Sequence, residues 1–328
     1  MYFLPSEVQL DILKCLNFKQ LLNIQQTNRF YENFINKYEE ELARKEFDKL
    51  EVISSFNYNI IKYKFLTPTP ELYDFQLSEQ LEEKWRWGIK KKIPMFLSTQ
   101  HVKINIIVYK LKRAVYFQLP NFPKNIEEMK INHYWLEQIF KCAFKYVELT
   151  QYFIFNPQMI ELLFDENKIK MPLQIYTQKS DLVISHQKIK SLSKFALNHL
   201  ISNQFSVSSC NYYYAIYFLF KILTEGGNGF STVCCWCIDL SKIYIRIIKH
   251  IETSKDFSKM VKEIKLFEVQ GPLILSKRAE NIKIKVKTIK TKSTKYQLSN
   301  KYNPEIKFSV YIKEIYEQVF NVEIKRIN

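Results

Sequence analysis

Residues 4–35, LPSEVQLDILKCLNFKQLLNIQQTNRFYENFI, carry apolar side chains at helical intervals in three short runs. Pro5 suits a first helical turn, where its missing N–H is not needed, and Glu7 favours the positive end of the helix. Val8, Ile12 and Leu16 recur at steps of four with Leu13 beside them, so one face of the first run is apolar. Asn17 interrupts it, and Leu21, Leu22 and Ile24 make a second short turn. Thr27 is placed to cap a third helix, in which Phe30, Phe34 and Tyr38 fall four apart. A segment of about forty residues rarely builds a sufficient core alone. These helices carry more apolar positions than they can hide among themselves, so either the rest of the chain or a partner's groove covers the surplus.

The order and spacing of Leu4-Pro5, Glu7, Ile12-Leu13, Leu16, Leu21, Ile24 and Phe30 resemble the F-box. The chain as a whole resembles the F-box proteins that form large families in nematodes. Thr27 stands where many F-boxes carry valine, and Phe30 or Tyr31 replaces a usual late tryptophan. The resemblance implies a three-helix module whose Leu4, Pro5, Glu7, Ile12, Leu13, Leu16, Leu21, Ile24, Phe30 and Phe34 meet a Skp-type adaptor, and through it a cullin.

The chain as a whole is core-forming: 47% of its 328 residues are hydrophobic and 25% charged. This composition excludes a disordered polymer. Five glycines against 21 tyrosines and 25 phenylalanines favour aromatic packing over glycine-rich ligand loops. No secretory signal or bilayer-length apolar run is legible, and an intracellular, cytoplasmic or nuclear protein with no membrane partner is expected. The six cysteines then read as reduced thiols. A formal charge of +16 invites a phosphate-binding reading, against which stands lysine spread over solvated positions.

The resemblance implies an F-box-like module at 1–50, and pattern changes along the rest give a linker at 51–70, a helix and β-hairpin at 71–125, and an α/β repeat-like, target-binding body at 126–328. Lys37 to Lys49 reads as a solvated helix, and Ser78 to Lys91 as a helix with Leu81, Trp85 and Ile89 four apart. Val102 to Val108 and Val115 to Leu119 alternate about Lys112-Arg113 as a hairpin. From Ile126 a strand-then-helix unit of roughly thirty residues recurs. Its first strand is expected at Met129 and Ile131, and later ones at 146–149, 173–176, 205–207, 233–238, 264–266 and 282–286. The expected fold is α+β or α/β, a three-helix F-box followed by a leucine-rich-repeat-like body, with an irregular mixed sheet as the competing architecture.

No chemistry-bearing constellation survives inspection. Cys234-Cys235-Trp236-Cys237 lacks a second ligand pair for zinc, and alternation on a strand turns Cys234 away from Cys235 and Cys237. Gly226-Gly227-Asn228-Gly229 follows a helix instead of opening one and reads as a left-handed helix stop. The five histidines lie in separate elements. No catalytic residue, metal site or cofactor is expected. Asn281 to Lys292 reads as one strand with an apolar and a lysine face, the lysines guarding an edge. The expected activity is that of a substrate-recognition adaptor in a Skp–cullin–F-box ubiquitin ligase, holding an unidentified target protein on the body. The alternatives are an F-box scaffold outside the ligase and a basic nucleic-acid-binding protein; nucleic acid is not the expected partner.

Overall fold

A computed structural model describes residues 4–39, 41–54, 63–98, 104–111, 113–150, 153–164, 172–184, 188–209, 212–237, 240–270, 273–288, 291–316 and 318–327. The fold is α+β, with helices and mixed sheet in both of two compact units. The first unit comprises residues 1–95, 100–146 and 158–176, and the second residues 96–99, 147–157 and 177–328.

The first unit opens with α1 (Ser6–Lys14), α2 (Phe18–Gln25) and α3 (Arg29–Lys37). Asn17 does more than interrupt a pattern. Its carboxamide oxygen accepts from the Gln20 N–H at 3.0 Å, while Gln20 Oε1 accepts from the Asn17 N–H at 2.9 Å, a reciprocal cap on α2. The cap of α3 is Asn28, accepting from the Tyr31 N–H at 3.0 Å, and not Thr27, whose hydroxyl donates back to the Ile24 carbonyl. Then follow β1 (Lys45–Ser54), β2 (Tyr63–Phe65), α4 (Pro70–Tyr73), α5 (Glu79–Lys90), β3 (Ile104–Lys110), β4 (Arg113–Gln118), α6 (Ile126–Phe140), β5 (Cys142–Leu149) and α7 (Pro157–Leu163). The strands lie in the order β5-β1-β3-β4-β2. Trp85 is buried on α5, donating from Nε1 to the Leu162 carbonyl at 2.9 Å, and Trp135 stacks on Phe117.

Two expectations fail here for physical reasons. The charged stretch ending at Lys49 does not stay helical. It runs into β1, where Leu50 and Val52 are fully buried and pair with Val108 and Ile106 of β3. Cross-strand packing outweighs the helix propensity of Glu and Lys. Met129 and Ile131 form no strand, because Asn125 caps the Glu128 N–H at 2.8 Å and starts α6. Met129, Leu136 and Phe140 then bury one helical face. The β3–β4 hairpin is present, while Val102 and Lys112 lie outside the described residues.

The second unit runs β6 (Ile175–Ile184), α8 (Ile189–His199), β7 (Leu200–Ser209), α9 (Tyr212–Glu225), β8 (Phe230–Cys237), α10 (Ser241–Thr253), β9 (Glu263–Val269), β10 (Ala279–Thr288), β11 (Thr291–Ser299), β12 (Lys307–Ile315) and β13 (Gln318–Ile327). Its strand order is β10-β11-β12-β13-β9-β8-β7-β6. Strands β7, β8 and β9 are parallel neighbours joined by helical crossovers, whereas β9 to β10 across the other half pair antiparallel. The long expected strand from Asn281 to Lys292 is therefore two strands of a hairpin, with residues 289 and 290 outside the described set. The turn at Gly226–Asn228 is a 3-10 turn, not a left-handed stop, and Gly229 has φ −101°.

Helices cover one face of this sheet. In register, Val207, Cys235, Leu266, Val322, Ile312 and Thr294 form one buried row under that cover. The Tyr244 hydroxyl of α10 and the Tyr296 hydroxyl of β11 meet within the layer at 2.6 Å.

Candidate functional site

The N-terminal helices separate their apolar residues into two sets. Leu13, Leu21, Tyr31, Phe34 and Ile35 form a small core with Leu42, and Leu10, Leu16 and Ile24 pack half-buried against it. Leu4, Val8, Leu22 and Phe30 remain 39–41% exposed. Pro5 and Glu7 are exposed and Ile12 is half-buried. Of the ten residues singled out on the sequence, then, Leu13, Leu21 and Phe34 are buried, Leu16, Ile24 and Ile12 are intermediate, and Leu4, Pro5, Glu7 and Phe30 face solvent. Phe30 keeps its exposed position by stacking on Phe34, ring centroids 5.9 Å apart. The buried Gln9 donates from Nε2 to the Leu4 carbonyl at 2.7 Å, which fixes the chain entering α1.

Val8 and Leu22 belong to the exposed set but not to the sequence-derived site. Their signal was present, since Val8 precedes Ile12 by four residues on one helical stripe. Motif spacing cannot tell the contact side of a short helix from its core side. What the arrangement can do is present an apolar surface on a module that already has its own core.

The second unit presents a different surface. On the helix-free face, register places Ser206, Cys234, Lys265, Glu323, Tyr311, Lys295 and Lys283 in one row, and Ser208, Trp236, Phe267, Asn321, Lys313, Ser293 and Lys285 in the next. Trp236 and Phe267 stack face to face, 3.9 Å between centroids. At the carboxyl ends of β7 to β9 a cavity of about 850 Å³ opens, lined by Trp236, Glu268, Tyr316 and Phe320 among others. Glu268 and Tyr316 both adopt left-handed backbone, φ 55° and 52°.

The cysteine cluster carries no metal geometry. Cys234, Cys235 and Cys237 are buried free thiols, and burial pushes the Cys235 thiol well above its ordinary range. Among the described residues, no group of three or more His, Cys, Asp or Glu side chains is placed to hold a metal. His133 packs between Phe75 and Phe164, and burial lowers its pKa. His250 sits edge-on to Phe220 and Phe257. His101, His186 and Cys210 lie outside the described residues. No helix among the described residues is long and apolar enough to cross a membrane.

A family model described as a domain of unknown function (DUF8381) matches residues 66–210, somewhat under half of the chain. The matched region runs from the end of β2 through β7 and leaves out the N-terminal helices. No F-box family model matches. No curated protein and no solved structure matches the chain.

Proposed function

We propose that the chain is a substrate-recognition adaptor of a Skp–cullin–F-box ubiquitin ligase, with α1 to α3 as its F-box. The observation that carries the reading is the split within those helices. A module that buries Leu13, Leu21 and Phe34 in its own core has no internal need to hold Leu4, Val8, Leu22 and Phe30 at its surface. Scattered exposed leucines are ordinary, but four exposed apolar positions on thirty residues, Leu4 and Phe30 among them at F-box spacing, fit a partner's groove. The adaptor contact is accordingly assigned to Leu4, Pro5, Glu7, Val8, Ile12, Leu22 and Phe30, and Leu13, Leu21 and Phe34 hold the module's shape.

The target would lie on the second unit, whose leucine-rich-repeat-like character rests on strands β6 to β9 stacking in chain order with one helix between each pair. Strands β10 to β13 add an antiparallel extension to that series. An adaptor of this kind performs no bond chemistry. It tethers a target lysine near a ubiquitin-charged conjugating enzyme, raising its effective concentration. The proposed setting is the cytoplasm or nucleus, where the ligase acts.

Co-purification with a Skp-type adaptor tests the reading. The wild-type chain should capture the adaptor, and Val8→Asp/Leu22→Asp and Leu4→Ala/Pro5→Ala should lose it while keeping their helical content. Raising salt should leave the capture nearly unchanged, because the contact is apolar. A folded wild-type chain that captures no adaptor would sink the proposal.

A further inference from the structure

We infer that the free edge of β10 is a docking site for an extended polypeptide segment in which acidic and apolar residues alternate. The segment would add to the sheet as a further strand. The inference deepens the target-holding role proposed above by naming the target's chemistry, but the binding itself is measurable without any adaptor.

Three observations converge. First, among the described residues β10 is the last strand of its sheet order, with β11 as its sole neighbour there, so its outer edge offers backbone groups to an incoming strand. Second, the apolar layer outruns its cover. The buried row Val207, Cys235, Leu266, Val322, Ile312, Thr294 continues in register onto Ile284, which is 57% exposed, and Ile282 and Val286 are 49% and 69% exposed. Edge strands that only need protection do not display a β-branched apolar ladder. Third, the opposite face of the same strand is cationic. Lys283 stands directly across from Lys295, and Lys285 lies two residues along, opposite Ser293. Lys313 follows on the next strand, opposite Ser293. Like charges paired directly across strands repel. In their own register rows the first carboxylate is Glu323 on β13; Glu280, nearer the start of β10 and opposite Gln297, accepts instead from the Ser299 hydroxyl at 3.3 Å.

Those charges choose the occupant. A second copy pairing antiparallel through its own β10 would bring lysines against lysines, so the edge is closed to self-assembly. A strand with glutamates or aspartates over Lys283, Lys285 and Lys295, and valines or isoleucines beside Ile284 and Val286, would relieve the repulsion and cover the apolar ladder together. A nucleic acid would satisfy the lysines alone and leave both the backbone edge and the ladder unused.

The test is fluorescence anisotropy of the full chain with a labelled peptide of five Glu-Val repeats. A block peptide of five glutamates then five valines, and a repeat peptide N-methylated at alternate residues, serve as controls. The repeat peptide should bind, and both controls should bind about tenfold more weakly or worse. Lys283→Glu/Lys295→Glu should lose the acidic peptide and gain one of five Lys-Val repeats, a reversal that misfolding cannot produce. Equal binding of the three acidic peptides would reduce the edge to a simple cationic patch and overturn the inference. So would displacement of the peptide by a single-stranded oligonucleotide at lower concentration. Failure here leaves adaptor capture standing, and failure of adaptor capture leaves this binding standing.

Discussion

The N-terminal helices and the sheet of the second unit solve the same problem with different means. Both must place more large apolar side chains than a short element can hide. The sheet layers them under α8 to α10, so that Phe205, Val233, Ile264, Val310 and Tyr296 lose essentially all contact with water. Among the described residues the helices have no such layer. They bury one set against Leu42 and one another and leave Leu4, Val8, Leu22 and Phe30 half out. The lesson is that apolar content alone does not separate a core from a contact surface. What separates them is whether the chain supplies a second layer.

The comparison is broken most severely by attacking the small core. Leu13 is 0% exposed, and Leu13→Ala removes its packing from a cluster with few alternatives. A loss of about 2–5 kcal/mol is expected, read as lost hydrogen-exchange protection over residues 6–37 with β7 to β9 unchanged. Equal loss of protection in both regions would mean that the helices do not unfold separately.

A smaller effect is expected inside the layered core. Burial holds the Tyr244 and Tyr296 hydroxyls above the ordinary phenol range. Unfolded tyrosine ionises near pH ~10. The folded pKa values lie higher, so the pair's contribution is full below about pH 10 and falls as pH rises beyond it. Tyr296→Phe strands the Tyr244 hydroxyl and should lower stability by about 1–3 kcal/mol at pH 7. It should also flatten the alkaline decline in urea unfolding measured between pH 8 and roughly 11. An unaltered alkaline slope would show that these hydroxyls do not titrate with unfolding.

The smallest expected change sharpens the contrast. Leu22→Ala, at an exposed position of the same module as Leu13, should shift stability by less than about 0.5 kcal/mol in thermal or urea unfolding. A loss as large as that of Leu13→Ala would place Leu22 in the core and remove it from the adaptor surface.

Much of this fold is legible in residue order. The three N-terminal helices, α5, the β3–β4 hairpin and the helical crossovers of the second unit all follow from apolar periodicity, and proline marks some helix starts. Asn156-Pro157, for instance, opens α7 at Pro157. Failures arise where a remote partner decides. The stretch Lys45–Ser54 has helix-favouring charges, but β3 offers it a ladder that no local reading contains. The candidate site was legible as a set of spacings and not as a division between inside and outside. That division depends on how short helices pack, which spacing cannot show. The β10 edge was visible as alternation of Ile or Val with Lys. Its exposure on both faces depends on where the helical cover stops.

Gly227 carries a consequence of its own. Its N–H donates to the Lys259 carbonyl at 2.7 Å, and a Cβ built there would stand 2.5 Å from the Met260 carbonyl oxygen. The chain therefore crosses itself with one hydrogen atom as the spacer. Any larger residue would push residues 259–260 away, and β9 begins only three residues later, holding register with β8 on one side and β13 on the other. A single hydrogen thus acts as the gauge that sets the alignment between the parallel and the antiparallel halves of the sheet.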